Sequence, residues 1–374
     1  MITTDVLIVG CGLSGAVLAE RFSSILNRKV LVIEKRNHVA GNCYDYTQDG
    51  ILVNKYGAHL FHTNDKGVWD YIQNFSEWVR WDHRVVGRVD GKLVPIPVNI
   101  NTVNALCGTN IKSQEEMREW LSNAQIIPEK MENGEQMALS RVGQDLYQKI
   151  FRPYTWKQWN KYPEQLDPSV LARIPVRDDF DDRYFNDRFQ ALPRHGYTQF
   201  VKNMLSHPNI QIMLDTDFFG IQKNLEYNLL IFTGPIDAYF KGQGLEPLEY
   251  RSIDFQMEKI ENTPYYQPNS VVNYPEENVP FTRIIEYKHF LHQKSPHTII
   301  VREFPCDDGE PYYPVPNEKN RQLYEKYRQL ATMEKNVYFI GRLANYKYFN
   351  MDAAIRNSLD FFEQHFNSKI NNRE

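Results

Sequence analysis

The stretch Gly10-Cys11-Gly12-Leu13-Ser14-Gly15 limits what this chain can fold into more than any other. It follows a short apolar run, DVLIV at 5–9. It opens a segment at 14–26 whose apolar residues Val17, Leu18, Phe22, Ile25 and Leu26 recur at helical spacing. A second apolar run, KVLVI at 29–33, leads directly into Glu34, nineteen residues past Gly15. Strand, glycine turn, helix, strand and acid make a βαβ unit. Its glycines permit a tight turn, close approach of backbone to a pyrophosphate, and close packing of helix on strand. The helix N-terminus then presents its positive dipole end to the phosphates, and Glu34 accepts hydrogen bonds from a ribose.

Composition narrows the class. With 374 residues the chain is long enough for two or three domains and needs no disulfides to hold a core. Lys+Arg 43 nearly balances Asp+Glu 47, and a net charge of −4 predicts neither a nucleic-acid partner nor an anionic membrane surface. An aromatic content of 13% excludes disorder and coiled coil as the main character. Cysteines at 11, 43, 107 and 306 match neither a disulfide framework nor a zinc site, which fits a reducing, cytoplasmic compartment. The N-terminus carries no signal-peptide pattern, and no apolar run reaches the roughly 18 residues of a membrane span.

Farther along, residues 84–98 predict a hairpin turning at Asp90-Gly91, and 101–172 are mostly helical. Ser113 with Glu116 forms a capping-box pattern, and Pro153 should kink or end the apolar-periodic segment 140–159. Residues 173–190, rich in Arg, Asp and Pro, suggest a loop. Runs between 251 and 304, including RIIEYKHF, suggest antiparallel strands. LLIFTGP at 229–235 and VYFIGR at 337–342, the latter followed by a helix at 351–366, resemble later elements of FAD-binding folds and favour FAD over NAD. The fold class is therefore α/β: a discontinuous Rossmann-like FAD-binding domain with an inserted helical bundle and an antiparallel β-sheet domain. The expected divisions are 1–80, 205–245 and 320–374 for FAD; 100–172 helical; and 81–99, 173–204 and 246–319 for the sheet.

Several longer stretches carry a resemblance. Tyr56-Gly57-Ala58-His59-Leu60-Phe61-His62-Thr63, Tyr154-Thr155-Trp156-Lys157-Gln158-Trp159 and Arg173-Ile174-Pro175-Val176-Arg177 resemble the bacterial UDP-galactopyranose mutases. So do Asp182-Arg183-Tyr184-Phe185-Asn186, Pro280-Phe281-Thr282-Arg283-Ile284-Ile285-Glu286 and Gly341-Arg342-Leu343-Ala344-Asn345-Tyr346-Lys347-Tyr348. The matches run in order over nearly the whole chain. The resemblance implies an FAD-dependent isomerase, active with reduced FAD, that interconverts UDP-galactopyranose and UDP-galactofuranose and supplies galactofuranose for surface polysaccharide. In that family N5 of reduced flavin binds the sugar C1, giving a flavin–sugar adduct and then an iminium. Consistently, the sequence offers no Ser-His-Asp set, no glycosidase carboxylate pair and no metal-ligand cluster.

The matched positions imply roles. Phe151, Tyr154, Thr155 and Trp159 form a uridine site. Arg173 and Arg283 bind the diphosphate and are the catalytic candidates. Tyr184, Tyr313 and Tyr348 donate to phosphates, and Asn273 is a further substrate ligand. FAD falls to Gly10, Gly12, Leu13, Ser14, Gly15, Glu34, Lys35, Asn42, His59, Leu60, His62, Asp217, Phe218, Arg342 and Tyr348. It also falls to Asn350, Met351, Asp352, Ala353, Ala354 and Ile355 at the start of the last helix. Asn350 stands where the family usually carries Asp. A reductant such as NAD(P)H or a reductase, and a homodimer, complete the implied partners. Residues 162–190 should close as a lid that excludes water from an activated sugar. Arg152 and Arg177 carry no assigned phosphate contact. Three other readings stay open: a mutase of UDP-N-acetylgalactosamine or dTDP-fucose, an amine-oxidase-like FAD oxidase, and a non-catalytic carrier resembling the Rab GDP-dissociation inhibitors.

Overall fold

In the computed structural model, which describes residues 1–366, the opening βαβ unit forms as expected. The strand Ile2–Val9 runs into the turn at Gly10, the helix Leu13–Ser24 follows, and Val30–Ile33 returns parallel to the first strand. Val6–Val9 and Val30–Ile33 are apolar on both faces, as a sheet covered by helices requires. The sheet is parallel throughout, in the order Ile210–Met213, Val30–Ile33, Ile2–Val9, Leu225–Phe232, Val337–Phe339. Helices Leu13–Ser24, Gly196–Met204 and Met351–His365 close one face around Phe22, Phe200 and Phe362. Among the described residues no helix is long and apolar enough to cross a membrane.

A seven-stranded sheet stands apart, in the order Tyr313–Pro314, Tyr250–Ile260, Thr298–Cys306, Arg283–Glu286, Val271–Asn273, Val85–Val89, Lys92–Ile96. It is antiparallel except where Val271–Asn273 meets Val85–Val89. The hairpin turns at Asp90-Gly91 as its sequence predicts, with both residues at positive φ. The run RIIEYKHF is strand only through Glu286; Tyr287–His292 is a 3-10 segment in which Leu291 has φ 56°, so the chain leaves the sheet there.

The helical stretch differs from its periodicity in two places. Ser113 accepts from the Glu116 amide, but the Glu116 carboxylate returns to the amide of Lys112 rather than Ser113, so the capping box is half made. The break in 140–159 falls at Gly143 (φ 72°, ψ −177°), not at Pro153. Pro153 sits in the first turn of Arg152–Trp159, where a missing N–H costs nothing, after a π-helical turn at Tyr147–Phe151.

Core packing also shifts the expected divisions. Helices of 100–172 and strands of the large sheet share one core, with Val142, Leu146, Tyr147, Val271, Ile285 and Val301 in mutual packing. Residues 189–204 leave the sheet unit. Phe189–Pro193 pairs with Phe61–Thr63 and Trp78–Arg80 in a separate small sheet, and the next helix packs in the Rossmann-type core.

Candidate nucleotide site

The glycine turn passes a steric test for a dinucleotide. A Cβ on Gly15 would sit 2.0 Å from the Gly10 carbonyl oxygen, and one on Gly10 would sit 2.1 Å from Thr233 Oγ1. A Cβ on Gly41 would meet Gly12 Cα at 2.8 Å. A Cβ on Gly12 itself would meet nothing nearer than 3.8 Å, so open space lies where a phosphate must approach. Gly41 and Thr233 were not among the expected residues. Their signal is the LLIFTG run and the Ala40-Gly41 pair, which only the fold brings against the turn. Glu34 is buried; its carboxylate accepts from the amides of Cys11 (2.8 Å) and Arg36 (3.0 Å), which ties the turn to the end of the second strand.

Other expected cofactor residues divide. Lys35 bridges to Glu310 at 2.9 Å, and Asn42 Oδ1 accepts from Arg36 at 3.0 Å. Asp217 caps the short helix Phe218–Ile221 through the Phe219 amide. The Phe218 side chain is a correction: it packs with Leu7, Ile33, Leu230 and Phe232, so only its backbone can reach a ligand. Ile355 is likewise core, fully buried in the Rossmann-type cluster. Asp352 Oδ1 already accepts the Ala353 amide at 2.7 Å, and an acid in this first turn opposes an anion there. Asn350 makes no side-chain cap on that helix; it and Met351 line the cavity instead.

That cavity, of ≈ 430 Å³, is enclosed by strands of the large sheet, the helical segment 150–175 and the segments 56–62 and 342–351. Every expected substrate residue lines it: Phe151, Tyr154, Thr155, Trp159, Arg173, Tyr184, Asn273, Arg283, Tyr313 and Tyr348. His59, Leu60, His62 and Arg342 line it too. The helix Arg152–Trp159 supplies Tyr154, Thr155, Gln158 and Trp159 along one wall. Strand register supplies the facing wall. Asn273 pairs with Arg283, and Arg283 pairs with Glu303, so three strands carry a row of Asn, Arg and Glu. Glu303, fully buried and unforeseen in the sequence, grips Arg283 through two hydrogen bonds of 2.6 and 3.1 Å. Among the described residues, Asn273 Oδ1 is buried without a partner.

Arginines and tyrosines set the field. The Arg173 guanidinium lies over the Tyr348 ring at 4.3 Å, and Arg342 lies over the same ring at 4.9 Å. Tyr348 and Tyr313 stack with centroids 5.5 Å apart. Burial alone would raise the Tyr348 hydroxyl, but Arg173, Arg342 and Arg283 outweigh it and hold the group below the ordinary phenol value. Tyr313 is pushed upward, first by burial and then by Tyr348. Burial also pushes Tyr154 up, to about 12. Three guanidiniums therefore face the cavity, against the carboxylates of Asp187 in its lining and Glu303 behind it.

Histidines line the cavity as well. His59 Nδ1 donates to the Gly57 carbonyl at 2.8 Å, which leaves Nε2 as the ring's acceptor, and burial lowers its pKa to about 4. His62 bonds Asp187 at 2.9 Å and stacks on Phe185 at 3.7 Å. His83, not expected in the site, lines the same cavity. Arg177, unlike Arg152, proves to be a strut: it donates to the carbonyls of Arg183 and Phe185, on either side of Tyr184.

A parallel sheet with a glycine turn, together with a separate cavity lined by arginines and tyrosines, defines a dinucleotide-binding α/β protein with a second cavity suited to an anion. Residues 8–75 match the NAD(P)-binding Rossmann-like domain, and residues 149–348 match the UDP-galactopyranose mutase family model. The chain belongs to the UDP-galactopyranose mutase family. It is 35% identical to a probable UDP-galactopyranose mutase of Klebsiella pneumoniae, over 99% of this chain and 97% of that one. It is 36% identical to a dTDP-fucopyranose mutase of Escherichia coli, over 95% of this chain and 96% of that one. The fold is similar to the crystal structure of a reduced UDP-galactopyranose mutase, with a TM-score of 0.77 and 17% identity over 98% and 96% of the two chains.

Proposed function

We propose that this chain binds FAD against the glycine turn and interconverts UDP-galactopyranose and UDP-galactofuranose in the adjoining cavity. The observation that carries the proposal is the convergence of Arg173 and Arg342 on the stacked Tyr313–Tyr348 pair, with Arg283 lining the same cavity beside the helix bearing Tyr154 and Trp159. A diphosphate demands such a cluster. Glu303 offsets part of the Arg283 charge and fixes its plane, so the guanidinium meets phosphate oxygens in one orientation. The Tyr348 hydroxyl, made more acidic by its arginines, is a strong donor to a phosphate oxygen. Tyr154 offers a ring for the base.

Ring contraction needs C1 released from its acetal and later recaptured through another hydroxyl. Reduced FAD, when bound, supplies the nucleophile for C1 that the side chains lack. The protein's own work is to orient the sugar, stabilise the departing UDP through Arg173 and Arg283, and keep water out. His59, held neutral by burial, offers Nε2 to the cavity as a hydrogen-bond acceptor. Arg173 lies against Tyr348, so the segment that carries it closes the cavity. The similarity to a dTDP-fucopyranose mutase favours a second reading, in which the same site takes dTDP-fucose.

The test is a chromatographic assay of dithionite-reduced protein with UDP-galactofuranose and, in parallel, dTDP-fucofuranose. Conversion of the first, lost on air oxidation, is expected. Equal turnover by oxidised and reduced protein, or conversion of the thymidine sugar alone, counts against the proposal.

A further inference from the structure

Lys157 is a buried lysine whose four partners are all carbonyl oxygens. Its Nζ donates to Glu276 O at 2.9 Å, Phe281 O at 3.0 Å and Val279 O at 3.1 Å, and to Tyr274 O. Three ammonium protons are shared among four oxygens, as around a monovalent cation. Burial pulls its pKa down to about 8, against the upward pull of Glu276 and Glu277, so it stays charged near neutral pH. A charged group is desolvated in this way only where its partners are fixed.

Those partners have a particular place. All four carbonyls belong to residues 274–281, the loop between the strand that ends at Asn273 and the strand that begins at Arg283. Lys157 itself lies on the helix whose Tyr154 and Trp159 line the cavity. The helix end is held from the other side as well: Arg251 donates to the carbonyls of Gln158 (3.0 Å) and Lys157 (3.4 Å) and pairs with Asp307.

We infer that Lys157 is a positioning residue that locks the base-facing helix to the strand pair carrying Asn273 and Arg283, so that base and diphosphate are gripped as one unit. The inference rests on the functional reading above. Two half-sites held rigidly gain from being linked through one ligand; two half-sites that drift lose that gain without losing either contact.

The test compares FAD-loaded wild type with Lys157→Met, which keeps most of the stem but not the charge. Binding of UDP and of uridine is measured by titration calorimetry in sodium and in potassium buffers. Lys157→Met should bind UDP roughly ten- to a hundredfold more weakly, with uridine changed by less than about threefold. In the smaller variant Lys157→Ala, potassium should recover part of the UDP affinity by occupying the four carbonyls, whereas wild type should be indifferent to it. Equal UDP affinity in wild type and Lys157→Met overturns the inference. So does an equal loss for UDP and uridine, which would mean a loosened helix. Variants that fail to fold in either buffer also overturn it, since the role would then be structural. Wild type that binds no UDP would instead sink the functional reading.

Discussion

At the scale of single residues, the two arginines proposed for the diphosphate differ in how they are held. Arg173 rests on an aromatic face, whereas Arg283 is clamped by a carboxylate. Arg173→Ala and Arg283→Ala should each lose at least about 10²-fold in kcat/KM while still purifying yellow, the magnitude typical of a lost fixed electrostatic contact. Arg283→Lys should also be badly impaired, because one ammonium cannot keep both bonds to Glu303 and still face a phosphate. Arg152→Ala, whose nearest carboxylate is Glu277 at 3.7 Å, should stay near wild type in steady-state assays. A second residue-scale prediction concerns His83, which burial, Arg283 and His62 together lower to about 3. The unfolded chain takes up its proton as pH falls through about 6.5, and the folded chain does not. Stability is therefore present above pH 6.5 and lost on acidification. Urea unfolding should show His83→Asn losing about 2 kcal/mol less than wild type between pH 7 and pH 5.

At the scale of elements, two glycines make contacts that no other residue allows. Gly15→Ala should push the Leu13–Ser24 helix off the first strand, and the protein should emerge from gel filtration with its flavin absorbance largely lost. Gly143 holds a backbone conformation that only glycine adopts readily, with Ala124 O 2.2 Å from any added Cβ. Gly143→Ala should cost about 1–3 kcal/mol in urea unfolding, with the cofactor retained, because the break lies in the helical unit. The break falls at Gly143 rather than Pro153 for the same reason: a proline in a first turn fits the helix, and a glycine at φ 72° interrupts one.

At the scale of the whole molecule, the segment 162–190 lines the cavity and bonds to several of the segments around it. Arg141 donates to the carbonyls of Leu171, Ala172 and Ile174, Asp167 bonds Pro316, and Arg177 bonds Val98. Arg173 brings the segment down on Tyr348. Amide exchange between residues 168 and 187 should slow when UDP binds the reduced protein, as measured by mass spectrometry. Unchanged protection would show that the segment is fixed rather than a closing lid.

The sequence by itself determined the parts whose signals are local. The glycine turn and its βαβ unit, the Asp90-Gly91 hairpin and the ordered motifs are each set by neighbours a few residues away, through φ, ψ and spacing. The resemblance that those motifs carry also implied ten substrate residues, and all ten line one cavity. Tertiary structure decided what depends on register and packing between distant segments. Glu303 stands beside Arg283 because two strands pair at that offset and no other; a slip of one residue would turn its carboxylate to the opposite face. Phe218 and Ile355 carry the sequence of ligand positions but lie under helices and strands that converge from elsewhere in the chain. Lys157 reads as an exposed helical lysine until four carbonyls, more than a hundred residues away, fold around it.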